Sequence, residues 1–320
     1  MSSIELLQRQ IHTAQELQAV VKMMKVLAAL NIHQYEQAVT SLAEYNHTIE
    51  MGLHVVLKAT HTYEAHTQQV NGDSEPRSLS TSDVGRCGVI IFGSEQGMCG
   101  QFNEQISRYA IAELEKLNIS PEQLAIFAVG SRIISHLETA GYGIEQTFPM
   151  AGSLAEITSM VQEILLHIAE WRDSGSTTLT ARKQIVRIFL FYNHLHSNTL
   201  CEPYKLQLLP LDRAWLQHIE NETWPEVSAV EPRSRTLPTF TMPSDTLVAS
   251  LLRQYFFILL YRAFGESLAG ENASRLASMQ VAEKNIAERL TEFTGQFQQK
   301  RQTAITDELL EITSAFELSH

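Results

Sequence analysis

The chain has 320 residues, room for one large domain or two modest ones, and a formal net charge of −12. That balance argues against nucleic acid as a partner, because a phosphate-binding face needs clustered Lys and Arg. Three cysteines are too few for a disulfide framework and point to a reducing compartment. No unbroken apolar run is long enough to span a membrane, and the start, Met1-Ser-Ser-Ile-Glu5, lacks the basic stretch of a signal peptide.

From Ser2 to Met51 there is neither proline nor glycine, which predicts one helix of roughly 80 Å at about 1.5 Å per residue. Its apolar stripe alternates spacings of three and four: Ile4, Leu7, Ile11, Ala14, Gln18, Val21, Lys25, Ala28, Ile32, Tyr35, Val39, Leu42, Asn46, Ile49, Leu53 and Val56. A stripe held at this period over such a length implies a supercoil with a partner helix. A polar linker, 66–86, follows, and the pattern then changes to short apolar runs. Cys87 to Phe92 is a buried strand, Phe102 to Leu117 a helix, and Leu124 to Val129 a second buried strand. Ser131 to Thr139 is a short helix and Ile144 to Phe148 a third strand. Ser153 with Glu156 forms a capping box that opens a helix to Trp171. Gln184 to Tyr192 is the strongest strand, and Tyr204 to Leu209 pairs with it as a hairpin. Alternating strands and helices predict a Rossmann-like α/β domain over 87–220 with a mostly parallel sheet.

A proline-bearing linker, 221–244, returns the chain to a second long helix. From Ser244 to His320 there is no proline, and glycine occurs only at Gly265, Gly270 and Gly295. Its stripe is Leu276, Met279, Ala282, Ile286, Leu290, Phe293 and Phe297. It then changes register to Ile305, Leu309, Ile312 and Phe316, as a stutter does. Neither long helix can bury its stripe locally. The expected fold is therefore α/β: a long antiparallel coiled coil, 1–65 with 245–320, and an inserted α/β domain. Residues 3–60 and 245–318 form the paired part.

Candidate chemistry is sparse. Phe92-Gly-Ser-Glu-Gln-Gly-Met-Cys-Gly-Gln-Phe-Asn103 follows a strand and precedes a helix, where α/β folds bind phosphates. It lacks the Lys-Ser/Thr of a P-loop and the glycine spacing of a dinucleotide site, so a structural turn is the stronger reading. Cys99 lies near a helix N-terminus but no motif pairs it with a base. His194, His196 and Cys201 fit no standard zinc spacing. Glu283 and Glu288 are carboxylates of a solvated helix face. Two functions stay open on these grounds: a nucleotide-binding enzyme using the 92–103 turn with the long helices as an oligomerisation arm, and a cytosolic coiled-coil scaffold. Nucleotide binding by the isolated chain and co-purifying subunits separate them.

Five segments, in order and spanning nearly the whole chain, resemble the γ subunit of rotary F-type ATP synthases. Lys22-Met-Met-Lys-Val-Leu-Ala-Ala29 is similar to the family's Lys-Ala-Met-x-Met-Val-Ala-Ala. Gly97-Met-Cys-Gly-Gln-Phe-Asn103 is similar to its Gly-Leu-Cys-Gly-Gly-Leu-Asn. Leu208-Leu-Pro-Leu211 resembles its Leu-Leu-Pro-Leu. Glu271-Asn-Ala-Ser-Arg-Leu-Ala-Ser-Met279 resembles Glu-x-Ala-Ala-Arg-Met-x-Ala-Met, and Lys300-Arg-Gln-Thr-Ala-Ile-Thr-Asp-Glu308 resembles Ala-Arg-Gln-Ala-x-Ile-Thr-x-Glu. The chain departs from the family after Ala29, where Leu30-Asn-Ile-His-Gln34 replaces a basic cluster, and at Gln101, where a glycine is usual. These departures suggest a divergent branch such as the sodium-linked N-type.

The resemblance implies a central-stalk rotor with no catalytic residue, cofactor or metal of its own, acting in ATP synthesis and hydrogen-ion or other ion transport. Its implied partners are the alpha and beta subunits of an alpha3beta3 hexamer, an epsilon subunit and a membrane c-ring. The place is the cytoplasmic face of the cell membrane, as a peripheral protein. The subunit contacts it implies are Lys22, Met24, Lys25, Arg275, Arg301, Gln302, Thr306 and Glu308.

Overall fold

The computed structural model describes residues 3–68, 86–117, 119–173, 185–197, 200–221 and 240–318. Two helices dominate it. α1, Ser3–Gln68, has 66 residues, and α6, Ser244–Leu318, has 75. They run antiparallel: Lys25 meets Glu283, Asn31 meets Asn272 and Tyr45 meets Gln254. Every predicted seam position of α1 from Ile4 to Val56 is buried or half-buried, and so is every position of the α6 stripe from Leu276 to Phe297. The residues between them on the outer face, such as Leu17, Val20, Met23 and Leu27, are more than half exposed.

Between the helices lies a five-stranded sheet in the order β3-β2-β1-β4-β5. The strands are β1 Arg86–Phe92, β2 Leu124–Val129, β3 Ile144–Phe148, β4 Ile185–Ser197 and β5 Leu200–Leu209. The first four run parallel, and β5 returns antiparallel to β4 as a hairpin. The helices between are α2 Phe102–Lys116, α3 Ile134–Thr139 with a 3₁₀ turn before it, α4 Leu154–Asp173 and α5 Arg213–Asn221. Side chains alternate between the two faces of the sheet, so strands buried on both faces need apolar residues throughout. In β1, Val89 and Ile91 join the core under α2 and α3, while Ile90 and Phe92 join the core on the other face.

That second core is shared between the inserted α/β domain and the long helices. α6 itself covers it: Phe264 stands edge-on to Phe92 at 4.8 Å between ring centroids, and Ile258, Leu260 and Ala263 are at most 2 % exposed. By length and composition this helix contains a stretch apolar enough to cross a membrane. Its mean hydropathy, spread over a window, escapes a search for unbroken apolar runs. Here its innermost side chains are spent on the sheet. Close packing explains two of the three glycines of α6. A Cβ at Gly265 would lie 2.6 Å from Val39 Cγ2, and one at Gly270 would lie 2.6 Å from the Cys201 sulfur. Gly295 faces open space, and nothing in the structure explains it.

α5 is absent from the sequence reading. Trp215 stacks on Tyr255 of α6, and the His54 Nδ1–H donates to the Ile219 carbonyl at 2.6 Å, so this short helix is pinned to both long ones. The capping box is displaced by one residue: the Glu156 carboxylate accepts from the Gly152 N–H at 2.8 Å. The bulk of both predicted linkers and the side chains of Phe316 in the C-terminal stripe and of His196 lie outside the described residues.

Candidate functional site

The carboxyl ends of the parallel strands are where α/β folds place ligands, and here the chain fills that crevice itself. After β1, the Ser94 N–H donates to Asn103 Oδ1 at 2.9 Å, and the Asn103 amide donates to Ser94 Oγ at 2.8 Å. One Glu95 carboxylate oxygen accepts from the Ser131 and Met150 N–H groups, beyond β2 and β3 respectively. Backbone donors that a phosphate would need are thus committed to side chains. α6 closes the top. Ser274 Oγ donates to the Cys99 carbonyl at 2.6 Å, and Arg275 Nη2 donates to the Gln96 carbonyl at 3.4 Å. Gly100 has φ +58, and a Cβ there would lie 2.9 Å from Ser278 Oγ, so a glycine is required on both counts. The 92–103 turn is a docking element.

The thiols are equally occupied. Burial pushes Cys87 up to about 11 and Cys201 up to about 12, so neither is a thiolate near neutrality. Cys99 is buried against Ser94 and Asn103. His194 turns its Nδ1 to Glu266, 2.7 Å away, rather than toward Cys201. Among the described residues no three His, Cys, Asp or Glu side chains converge as a metal site. Glu283 is no solvated carboxylate: it takes the Lys25 ammonium at 2.5 Å, and that hydrogen bond holds its carboxyl below the ordinary range.

The residues that the resemblance implies as contacts fall into three groups. Arg301, Gln302, Thr306 and Glu308 are exposed on α6. Lys22 is exposed and Met24 half-buried on α1. Lys25 is inside the coiled coil, where its ammonium crosses from a seam position to Glu283 and fixes register. Arg275 departs from the expectation of a surface contact. It is 8 % exposed and its guanidinium is held by Glu271 at 2.5 Å. The physical reason is the turn, which covers this face of α6 from outside.

The stutter after Phe297 also takes a different form. From position 298 to 314 every α6 residue is exposed, including Ile305, Leu309, Leu310 and Ile312 at 48–62 %. The pairing of Lys25 with Glu283 and Asn31 with Asn272 brings the start of α1 to this level. The register breaks because the partner helix has ended, and α6 continues alone for about 20 Å or more.

A compact domain packed on a long two-helix shaft, with one helix overrunning the other and its apolar side chains bare, has the form of a shaft protein. Comparisons with known proteins agree. A family model described as ATP synthase matches residues 3–317, and the chain belongs to that family. Curated relatives include the ATP synthase gamma chain of Desulforamulus reducens, 26 % identical over 98 % of this chain and 97 % of that one. That of Buchnera aphidicola is 23 % identical with the same coverage. Among solved structures, a chain of the Euglena gracilis mitochondrial ATP synthase OSCP/F1/c-ring has a TM-score of 0.58 at 15 % identity, covering 99 % of this chain and 95 % of its own. A chain of the same enzyme's rotor gives 0.57, covering 95 % and 99 %. The fold is that of an ATP synthase gamma central stalk.

Proposed function

We propose that the chain is the central-stalk rotor of an F-type ATP synthase and couples ion flow to ATP chemistry by turning, with no catalytic residue of its own. The observation that carries this is the bare end of α6. A helix that buries nothing over 298–314 yet exposes Ile305, Leu309, Leu310 and Ile312 is built to be sheathed by other chains. An alpha3beta3 ring supplies such a sheath. Asymmetry does the rest: turning a shaft with unlike faces changes which contacts each catalytic subunit meets, and so biases its conformational equilibrium. Lys22, Met24 and the Arg301–Glu308 segment are the contact residues in this reading, while Lys25 and Arg275 act inside the chain. Epsilon and the membrane c-ring engage the α/β-domain end, which places the chain peripherally at the cytoplasmic face of the membrane. The alternative, an enzyme with a nucleotide at the 92–103 turn, is opposed by the filled crevice.

Co-purification tests it. Affinity capture of the full chain from its native membranes should bring alpha-, beta- and epsilon-like subunits in fixed stoichiometry, with ATP hydrolysis activity. Recovery of the chain without them, or nucleotide binding by the chain alone, would contradict the reading.

A further inference from the structure

α6 leaves the α/β domain between Glu271 and Ser278, and there its inward face changes character. Glu271, Ser274, Arg275 and Ser278 recur at helical spacing and form one polar face. Glu271 and Arg275 are buried, and Ser274 and Ser278 half-buried. A coiled-coil seam wants apolar side chains at such positions, so this face is fitted to something else. Its partner is the 94–103 turn, through the Ser274–Cys99 and Arg275–Gln96 hydrogen bonds and the close approach of Gly100 to Ser278. The turn is itself braced by Asn103 and Glu95, which tie it to Ser94 and to the loops after β2 and β3. α1 enters the same junction, where the Asn31 amide donates to Asn272 at 3.4 Å.

We propose that this turn is the torque key of the rotor: it locks the rotation of the α/β domain to that of the shaft at the point where the shaft emerges. The inference rests on the rotor reading above. The hydrophobic drive that packs α6 on the sheet is non-directional. Hydrogen bonds and a close backbone approach are directional and resist twist. Ser274, Ser278 and Gly100 are positioning residues in this scheme. They decide how much applied twist reaches the far end.

The test uses the assembled complex in membrane vesicles. In the Ser274→Ala, Ser278→Ala double variant, amide exchange over 96–101 should quicken by about fivefold or more as the clamp opens. ATP hydrolysis without an opposing gradient should match wild type, while the largest ion gradient that hydrolysis sustains should fall. Ser274→Thr keeps the hydroxyl and should keep the gradient. The proposal is overturned if exchange quickens and the gradient is unchanged, or if exchange is unchanged. Failure of the rotor reading looks different: purified wild-type complex would lack this chain altogether.

Discussion

Removing Glu271 should unfold the chain far more easily than any exposed substitution on the shaft. Glu271 and Arg275 are 6 % and 9 % exposed at their side chains, with 2.5 Å between Oε1 and Nη2. Glu271→Ala leaves a guanidinium buried without its counter-charge, a loss of about 3–5 kcal/mol for a pair of this kind. Total stabilities of about 5–15 kcal/mol make that a large fraction. With a urea slope of about 2–3 kcal/mol per molar, the unfolding midpoint should drop by about 1–2.5 M. Replacing both partners with methionine removes the stranded charge and should cost about 1 kcal/mol or less. The cycle of single and double variants, followed by circular dichroism in urea on the full chain, isolates the coupling. Midpoints within a few tenths molar of wild type for Glu271→Ala and Arg275→Ala would show that the pair is not buried, and would return Arg275 to the surface-contact role that the resemblance implies.

The same carboxyl predicts a pH dependence. Burial raises the Glu271 pKa, with Arg275 opposing, so the fold favours its protonated form. The stability this adds is present below the ordinary glutamate value of about 4.3 and is lost as pH rises through the raised folded value. Glu271→Gln should therefore gain on wild type in urea midpoint as pH is raised across that window, and a constant difference would refute the assignment. Gly265→Ala and Gly295→Ala should have opposite signs. The first drives a methyl against Val39 and should cost about 1–2 kcal/mol net of the helix gain, while the second meets nothing and should add up to about 1 kcal/mol; melting temperatures of the two variants check this. Arg301→Ala with Gln302→Ala, both on the exposed end of α6, should lower coupled turnover in the assembled complex with the helical circular dichroism signal unchanged.

The coiled coil was legible because periodicity carries its own partner. A stripe from Ile4 to Val56 demands a second stripe, and the one at Leu276 to Phe297 answers it. The strands were legible because their apolar runs are continuous, which only a sheet covered on both faces needs. Where pairing ends was not legible. The break after Phe297 has the same local pattern as a stutter, and its cause is how far α1 reaches along its partner. The burial of Arg275 was hidden for a similar reason: the turn that covers it lies about 175 positions earlier in sequence, as the Ser274–Cys99 bond shows. α5 escaped because of its length: nine residues fall short of the usual helical span, although Trp215, Leu216 and Ile219 do recur at helical spacing. The filled crevice depends on Glu95 and Asn103 side chains whose partners only the folded chain brings together.

The most direct measurement is a reversible lock between this chain and its sheath. A cysteine in place of Ile305, on the bare end of α6, is paired with one on the facing surface of a beta subunit in the assembled complex. Oxidation should abolish ATP hydrolysis and ion movement together, and a reductant should restore both. Full hydrolysis with the cross-link in place would show that the shaft need not turn, and would contradict the account.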